Sequence, residues 1–485
     1  MPKLFTLLCT TLFLTLLASS SVSAQENSNI LLPELGDAAS GVASHEQEYI
    51  LGRAWLRLFR NKVPELNDPV MHDYIDQLLR KLANESQLQD KRLQLVLIRN
   101  PTLNAFAVPG GVVGVHNGLL QYARTEQELG GVLAHELAHL SQRHWVRSME
   151  KEQQNRIPTM AGLLTGLVLM SAGSGDAGMA AVMATQAANL ESMLRFSREN
   201  EAEADRVGMQ TLVNAGMDPH ALPTMFENMQ RSMRYMGDRP PEFLMSHPVT
   251  EKRIADSLNR ADQYPKRNYS DNRDYQLIRA RAKVSLAENP SVAAKQFQGE
   301  LQGKNDFPEA NTYGLALAQI GMRQFAEADK TLAPLYNKDP ANLLLLLAKA
   351  DILIGLGDYN KAENILTQHL KTDPKNYPVN MTYARLLNTV ERYEVSIRQL
   401  EKLLPDYNGE PSVWYMLAET RGLAGDIAGV HMARAEYFAL NGHFDDARKQ
   451  LTYAVKLYQG DYFNTAKAKQ RLRELAEMEE QALNI

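Results

Sequence analysis

Residues 34 positions apart resemble one another over the second half of the chain, and this period constrains the fold more than any other feature of the sequence. Small residues, aromatic residues, leucines and prolines each recur in register. They are Ala316, Ala350, Ala384 and Ala418; Ala328 and Ala362; Phe325, Tyr359 and Tyr393; Leu332, Leu366 and Leu400; and Pro340 and Pro374. A fixed period of this length is typical of stacked helix pairs, because one unit alone cannot bury its apolar face.

A period of 34 with small residues in the first helix, an aromatic residue at the turn and proline at the end of the unit resembles the tetratricopeptide repeat. We therefore predict an α-solenoid over residues 275–485. Residues 263–274 contain Pro, Asn, Ser and Asp, which predicts a linker to a separate domain at residues 25–262.

Beyond Ala418 the residues no longer follow the 34-residue spacing. The aromatic-to-small offset returns at Phe444, which lies 51 residues after Tyr393 instead of a multiple of 34. We therefore expect an insertion or a modified pair of helices in this part of the array.

Residues 1–24 have the order of a signal peptide: a charged start, an apolar run from Leu4 to Leu17, and small residues ending at Ala24. The apolar run is shorter than a membrane span needs, so we predict cleavage after Ala24 and export. The single cysteine, Cys9, lies inside this segment. The mature chain is then expected to have no disulfide and no sulfur ligand for a metal.

The composition is that of a globular chain with two or three domains, since 44% of the residues are hydrophobic and 22% are charged. The net charge of −5, without a basic block, argues against nucleic acid as the main partner. From Ala161 to Leu190 the sequence is rich in Ala, Gly, Met and Leu, but a glycine-rich stretch divides it into two pieces. Each piece is shorter than the roughly 20 residues of a span, so we expect burial or shallow contact with a lipid surface.

The first domain is predicted to be α+β and mainly α. Apolar residues at helical spacing indicate two amphipathic helices between Ser44 and Leu82. A small sheet follows, with strands at Leu93 to Arg99, Ala105 to Val108 and Val112 to His116.

A capping box at Thr125 and Glu128 predicts the start of a helix that carries His135, Glu136 and His139. The two histidines are four residues apart, so both imidazoles project from one face and can bind one ion. Zinc lowers the pKa of water toward about 7, and Glu136 is placed to take the proton of a water that attacks a peptide carbonyl. A chance His-Glu-x-x-His on an exposed helix is the alternative.

A catalytic zinc needs a third protein ligand, and two acidic residues downstream are candidates. Glu201 and Asp205 are four residues apart on a predicted helix. Glu201 could bind zinc while Asp205 accepts a hydrogen bond from the spare nitrogen of a ligating histidine. A solvated acidic face is the alternative, and it is our interpretation of Glu199 and Glu203. The metzincin position is occupied by Trp145, which leaves His144 as a surface residue or a support for a ligand.

Two further segments have two interpretations each. His247 precedes Pro248 in a predicted loop, and is either a surface histidine or a fourth zinc ligand that holds the enzyme inactive at rest. Asn104 to Val108 is interpreted as a structural hairpin strand or as an edge strand whose free backbone groups pair with an extended substrate, and the two are compatible.

Four motifs in this order resemble the HtpX-like and CAAX-protease-like zinc peptidases. They are Asn104-Ala-Phe-Ala-Val-Pro-Gly-Gly111, His135-Glu-Leu-Ala-His139, Glu201-Ala-Glu-Ala-Asp205 and Ser246-His-Pro-Val-Thr-Glu-Lys-Arg-Ile254. The resemblance implies a gluzincin-type metalloprotease domain with one Zn²⁺, with Glu201 as the third ligand and Glu136 as the general base.

With the signal peptide and the repeats included, the resemblance extends over essentially all of the mature chain. It implies a periplasmic endopeptidase that degrades misfolded or stalled outer-membrane β-barrel proteins. The repeat domain would bind these proteins or the outer-membrane assembly machinery, and would act as a chaperone. Membrane-embedded relatives differ in having secure transmembrane helices, so prenylated substrates are not implied.

The competing function is a periplasmic chaperone or adaptor in which zinc only stabilises the fold. Three strong ligands leave an open position on the metal, and Glu136 has no structural task, so the sequence favours an enzyme. The residue that stabilises the oxyanion is not identified; His144, Arg206 and Arg253 are candidates.

Overall fold

The computed structural model describes residues 43–151, 198–233, 242–303 and 306–483, which all belong to one compact unit. The predicted signal peptide and the apolar segment from Ala161 to Leu190 lie outside these residues. None of the helices in the described ranges combines the length and the apolar character that a membrane span requires.

The described residues form helices and three strands, as predicted for a mainly α protein with a small sheet. The strands are β1 (Gln94–Ile98), β2 (Ala105–Val108) and β3 (Val112–His116). The helices of the first domain are α1 (His45–Lys62), α2 (Pro69–Asn84), α3 (Leu119–Tyr122), α4 (Glu126–Ser141), α5 (His144–Lys151), α6 (Arg198–Asn214), α7 (Ala221–Met233), α8 (Glu242–Ser246) and α9 (Glu251–Ala261).

The helices after the irregular residues 262–272 follow one another in pairs. They are α10 (Arg273–Leu286), α11 (Pro290–Gln302), α12 (Pro308–Gly321), α13 (Phe325–Lys338), α14 (Leu343–Leu356), α15 (Tyr359–Thr372), α16 (Tyr377–Thr389), α17 (Tyr393–Tyr407), α18 (Pro411–Leu423), α19 (Ile427–Leu440), α20 (Phe444–Leu457) and α21 (Tyr462–Leu483).

The sheet has the strand order β1-β3-β2, with β1 parallel and β2 antiparallel to β3. The turn between β2 and β3 needs glycine, because Gly110 has a φ of 83° and a Cβ on it would lie 2.3 Å from the Glu48 carbonyl oxygen. Among the described residues β2 pairs with β3 alone, so it is an edge strand.

Helix α4 is capped by Thr125, whose side chain accepts a hydrogen bond from the Glu128 backbone N–H at 3.2 Å. The second half of the predicted capping box is absent. The Glu128 carboxylate accepts from the backbone N–H of Arg124 and from the Asn228 amide instead, because α7 packs beside this turn.

Helices α4 and α6 approach each other closely. A Cβ on Gly208 of α6 would lie 3.1 Å from the Ala134 carbonyl group and from the His135 Cα. Ala138, Ala204 and Val207 fill the remaining contact with small side chains. This approach brings the first two turns of α6 opposite the histidine face of α4.

The repeat ladder corresponds to the packing of the helix pairs. Its alanines are buried where helices cross, with exposed fractions of 0% at Ala316, Ala350 and Ala384. The aromatic residue of each unit begins the second helix of its pair, as Tyr393 begins α17.

Of the two expectations for the array beyond Ala418, the insertion is wrong, and the modified pair of helices is present as α20 and the 22-residue α21. Ile427 begins α19 exactly one repeat after Tyr393, so the ladder continues with isoleucine in the aromatic position. Phe444 begins α20, the first helix of the next pair, and is therefore half a repeat out of phase. The aromatic residue alone did not distinguish the two helices of a pair.

The repeat array is attached to the first domain where it begins. Tyr275 of α10 is fully buried and donates a hydrogen bond from its hydroxyl to the Ala123 carbonyl at 2.9 Å. Arg281 forms an ion pair with Asp68 at 2.7 Å. One apolar core continues from the first domain through α16.

Later repeats return to the first domain and contact it a second time. Glu410, just before α18, accepts a hydrogen bond from Gln94 of β1 and lies 3.4 Å from His72 Nε2 of α2. Arg60 of α1 donates to the Gly409 carbonyl at 3.1 Å. Burial would lower the pKa of His72, but Glu410 raises it to about 9. Burial would raise the pKa of Glu410, but His72 lowers it to about 2.

The Glu410→Gln variant tests this second attachment, because it removes the charge beside His72 and keeps an oxygen that can accept from Gln94. Folding lowers the pKa of Glu410 from 4.5 and raises that of His72 from 6.5, so the ion pair contributes fully between pH 4.5 and 6.5. We expect wild type to exceed the variant in unfolding free energy by up to about 3–5 kcal/mol in that window. Urea unfolding should show the difference shrinking toward pH 9 and toward pH 2, and a difference independent of pH would contradict the assignment.

Candidate metal centre

Four buried side chains converge between α4, α6 and the segment after α8. His135, His139, Glu201 and His247 each offer one ligand atom, and these atoms lie within 4.8 Å of one another. The exposed fraction of each residue is 2% or less. The structure therefore brings together the three predicted ligands and the possible fourth.

The spacing of these atoms suits zinc. His135 Nε2 and His139 Nε2 are 3.0 Å apart, and each lies 3.5 Å from an oxygen of Glu201. Zinc with bonds of about 2.0–2.1 Å in tetrahedral geometry needs ligand atoms about 3.3 Å apart. His247 Nδ1 is 2.9 Å from Glu201 Oε1, so the fourth side chain faces the same position as the other three.

The charges around the site favour a cation. Burial would lower the pKa of His135, but the carboxylates of Asp205 and Glu201 raise it to about 9. Burial, together with the neighbouring histidines, holds the pKa of His139 well below its usual value against the effect of Glu201, which leaves a neutral imidazole suited to ligation. Nitrogen and oxygen donors without sulfur are typical of catalytic zinc, which takes three of them and keeps its fourth position for water.

Asp205 and Arg253 support two of the ligands. Asp205 Oδ1 lies 3.0 Å from His135 Nδ1, the nitrogen that faces away from the metal position. Arg253 of α9 donates to both Asp205 oxygens at 2.7 and 2.8 Å, and its Nη1 lies 2.8 Å from Glu201 Oε2. The same Nη1 donates to the Pro248 carbonyl at 3.0 Å. Arg253 thus ties α6 to the segment that carries His247.

His144 supports the other histidine of α4. It is fully buried, and its Nδ1 shares a hydrogen bond with His139 Nδ1 at 2.8 Å. Its Nε2 lies 3.2 Å from Glu203, which also pairs with Arg147. The prediction that Glu203 belongs to a solvated face is therefore wrong, because α5 packs against it.

The candidates for oxyanion stabilisation have other contacts. Arg253 and His144 are engaged as described, and Arg206 is 52% exposed beside Glu203 at 3.6 Å. The structure therefore places Arg206 away from the metal site.

Glu136 lies between the ligand cluster and the edge strand. Its exposed fraction is 1%, and the backbone N–H of Ala107 on β2 faces its carboxylate. Burial raises the pKa of Glu136, against the effect of His247 and His135. His247 Nε2 lies 3.6 Å from Glu136 Oε1. A carboxylate with a raised pKa beside a metal position is suited to accept a proton.

Sequence reasoning missed the role of Arg253 as a clamp and that of Glu203 as a partner of His144. The only signal was Arg253's position in the motif that follows His247, because its partners lie about 50 residues upstream. The contact between Glu242 and Asn104, at 3.1 Å, was not foreseen either.

The fold and the site define a metallopeptidase with a His-Glu-x-x-His helix, followed by a helical-repeat domain. Residues 69–261 match Peptidase family M48, and residues 353–420 match the Tetratricopeptide repeat. The putative beta-barrel assembly-enhancing protease of Vibrio cholerae is 34% identical over 482 residues, which cover 99% of this chain and 98% of that protein.

Two other relatives match over different lengths. The beta-barrel assembly-enhancing protease of Escherichia coli (strain K12) is 33% identical over 93% of this chain and 92% of its own. The mitochondrial metalloendopeptidase OMA1 of Schizosaccharomyces pombe is 35% identical over 37% of this chain and 50% of its own. The chain belongs to peptidase family M48, among the beta-barrel assembly-enhancing proteases. It is a metalloendopeptidase, and the family implies a metal, typically zinc.

The Arg253→Lys variant tests the clamp. Lysine cannot donate to both Asp205 oxygens and reach Glu201 at once, so we expect zinc affinity to fall about 10–100-fold while the fold remains. Competition with a chelator measures the affinity, and Arg206→Lys on the exposed side of α6 is the matched control. Equal affinities for the two variants would show that the clamp does not hold the ligands.

Proposed function

We propose that this protein is a periplasmic zinc endopeptidase that degrades misfolded or stalled outer-membrane β-barrel proteins. One Zn²⁺ per chain is held by His135, His139 and Glu201, after the signal peptide of residues 1–24 has been removed. The observation that carries the proposal is the position of Glu136 beside these three residues, since a structural site needs no buried base. The names of the full-length relatives supply the class of substrate.

The residues of the site have distinct tasks. When bound, zinc makes water acidic and polarises a peptide carbonyl. Glu136 accepts the proton of the attacking water and returns it to the leaving amine. Asp205 fixes the ring orientation of His135, and His144 fixes that of His139.

The edge strand β2 is suited to hold the substrate. Its outer side pairs with no strand among the described residues, and the backbone N–H of Ala107 faces Glu136. An extended polypeptide that adds to β2 would therefore run past the catalytic carboxylate. Pairing through backbone hydrogen bonds does not depend on which side chains the substrate has, so it suits unfolded proteins of varied sequence.

His247 occupies the fourth position at rest in our proposal. Its Nδ1 lies 2.9 Å from Glu201 Oε1, and its ring centroid lies 4.9 Å from that of His139. A fourth protein ligand leaves no place for water, so the histidine must move before cleavage.

The repeat array is assigned partner binding, with outer-membrane proteins or their assembly machinery as partners. Stacked pairs present a long surface, and the array is attached to the peptidase domain at its start and again just before α18. A chaperone or adaptor with structural zinc is the second candidate, and the closed set of four ligands favours it.

The Glu136→Gln variant separates the two functions. It keeps all four zinc-facing side chains, so we expect unchanged zinc content and a rate of cleavage about 10²–10⁴-fold lower, as for loss of a general base. Cleavage of an unfolded outer-membrane β-barrel protein is measured by gel and zinc by elemental analysis. Glu227→Gln is the control, because Glu227 is a half-buried residue of α7 that pairs with Arg231. Cleavage by the variant at the wild-type rate would remove Glu136 as the base. Absence of cleavage by both zinc-loaded wild type and zinc-loaded His247→Ala would favour the chaperone.

A further inference from the structure

Helix α8 is a single helical turn that is attached to the chain just before β2. The Phe243 backbone N–H donates to the Leu103 carbonyl at 3.4 Å, and the Asn104 side-chain amide donates to Glu242 Oε2 at 3.1 Å. Asn104 is 4% exposed. The first two residues of α8 are thus fixed to two residues that lead into the edge strand.

The same turn carries His247 to the metal centre. The His247 backbone N–H donates to the Phe243 carbonyl at 2.7 Å. Phe243 is fully buried, with its ring centroid 4.9 Å from that of His247. Because one turn separates the attachment from the histidine, the position of Glu242 affects where the imidazole lies, alongside the bond from Arg253 to the Pro248 carbonyl.

The attachment depends on a hydrogen bond from a neutral amide. His116 Nδ1 lies 3.9 Å from Glu242 Oε2 and 2.8 Å from the Thr102 hydroxyl. Burial lowers the pKa of His116 to about 4, so this imidazole is neutral near pH 7 and gives Glu242 no counter-charge. Glu242 therefore depends on Asn104 for its orientation.

We propose that Glu242 is a positioning residue that, through Asn104, holds α8 so that His247 reaches the fourth position on zinc. The inference rests on the proposed function, since it takes His247 to contact the bound metal. Asn104 also directly precedes the strand assigned to substrate pairing. A polypeptide that pairs with β2 therefore acts on the same residue that keeps His247 in place, which gives substrate a direct way to release it.

The test follows zinc loss from the zinc-loaded full chain into excess chelator, together with kcat and KM on an unfolded peptide. We expect His247→Ala to lose zinc faster than wild type, and Glu242→Ala to lose it about 10–100-fold faster as an outer support of a ligand. Glu242→Gln should stay near wild type, because its amide oxygen accepts the same hydrogen bond. Glu227→Ala is the control for removal of a carboxylate, because Glu227 is a half-buried residue that pairs with Arg231.

The double variant distinguishes positioning from a general loss of stability. If Glu242 acts through His247, Glu242→Ala with His247→Ala loses zinc no faster than His247→Ala alone. Asn104→Ala should reproduce Glu242→Ala, and both should change kcat in the same direction as His247→Ala.

Each of the other outcomes would contradict one specific step of the inference. Additive effects in the double variant, or a wild-type rate for Glu242→Ala beside a fast His247→Ala, would end the positioning role and leave the zinc site intact. A wild-type rate for His247→Ala would remove the fourth ligand, and with it this inference. Neither result would affect the proposed peptidase activity, which depends on Glu136.

Discussion

The close approach of α4 and α6 is the constraint on which the metal centre depends. The backbone of α6 passes close to Ala134 because Gly208 has no side chain. A Cβ on Gly208 would lie only 3.1 Å from the Ala134 carbonyl group. Glu201, two turns earlier, then faces both histidines of α4. A larger side chain at Gly208 would separate the helices, and the carboxylate would lose contact with the imidazoles. Ligand geometry here is a consequence of small residues in a helix contact, as much as of the ligands themselves.

The supports of the ligands connect the centre to the rest of the peptidase domain. Arg253 connects α9 to α6 through its hydrogen bonds to Asp205. Asn104 connects the start of β2 to α8 through its hydrogen bond to Glu242. Removing either support would leave a buried charge or a polar group without its partner, which is why these contacts fix the site firmly. The repeat array in turn contacts β1 through Glu410, while β2 of the same sheet faces Glu136 of the catalytic helix.

The sequence predicted the parts of the structure that follow from local pattern. The 34-residue period predicted the helix pairs. The helical spacing of His135 and His139 predicted that both imidazoles lie on one face of a helix. The pairings of Arg253 and Glu203 could not be predicted, because their partners meet them only through tertiary packing. The insertion expected near Phe444 has a different cause. An aromatic residue begins either helix of a pair, so it does not fix the phase of the repeat.

The zinc K-edge X-ray absorption spectrum of the zinc-loaded wild-type protein at rest tests the central claim most directly. Our account predicts three imidazole nitrogens and one carboxylate oxygen around the metal, from the four residues that converge in the structure. The signal of multiple scattering from imidazole rings counts the histidines. A spectrum with two imidazoles and a water would contradict the resting state that we describe, and one without imidazole would contradict the site itself.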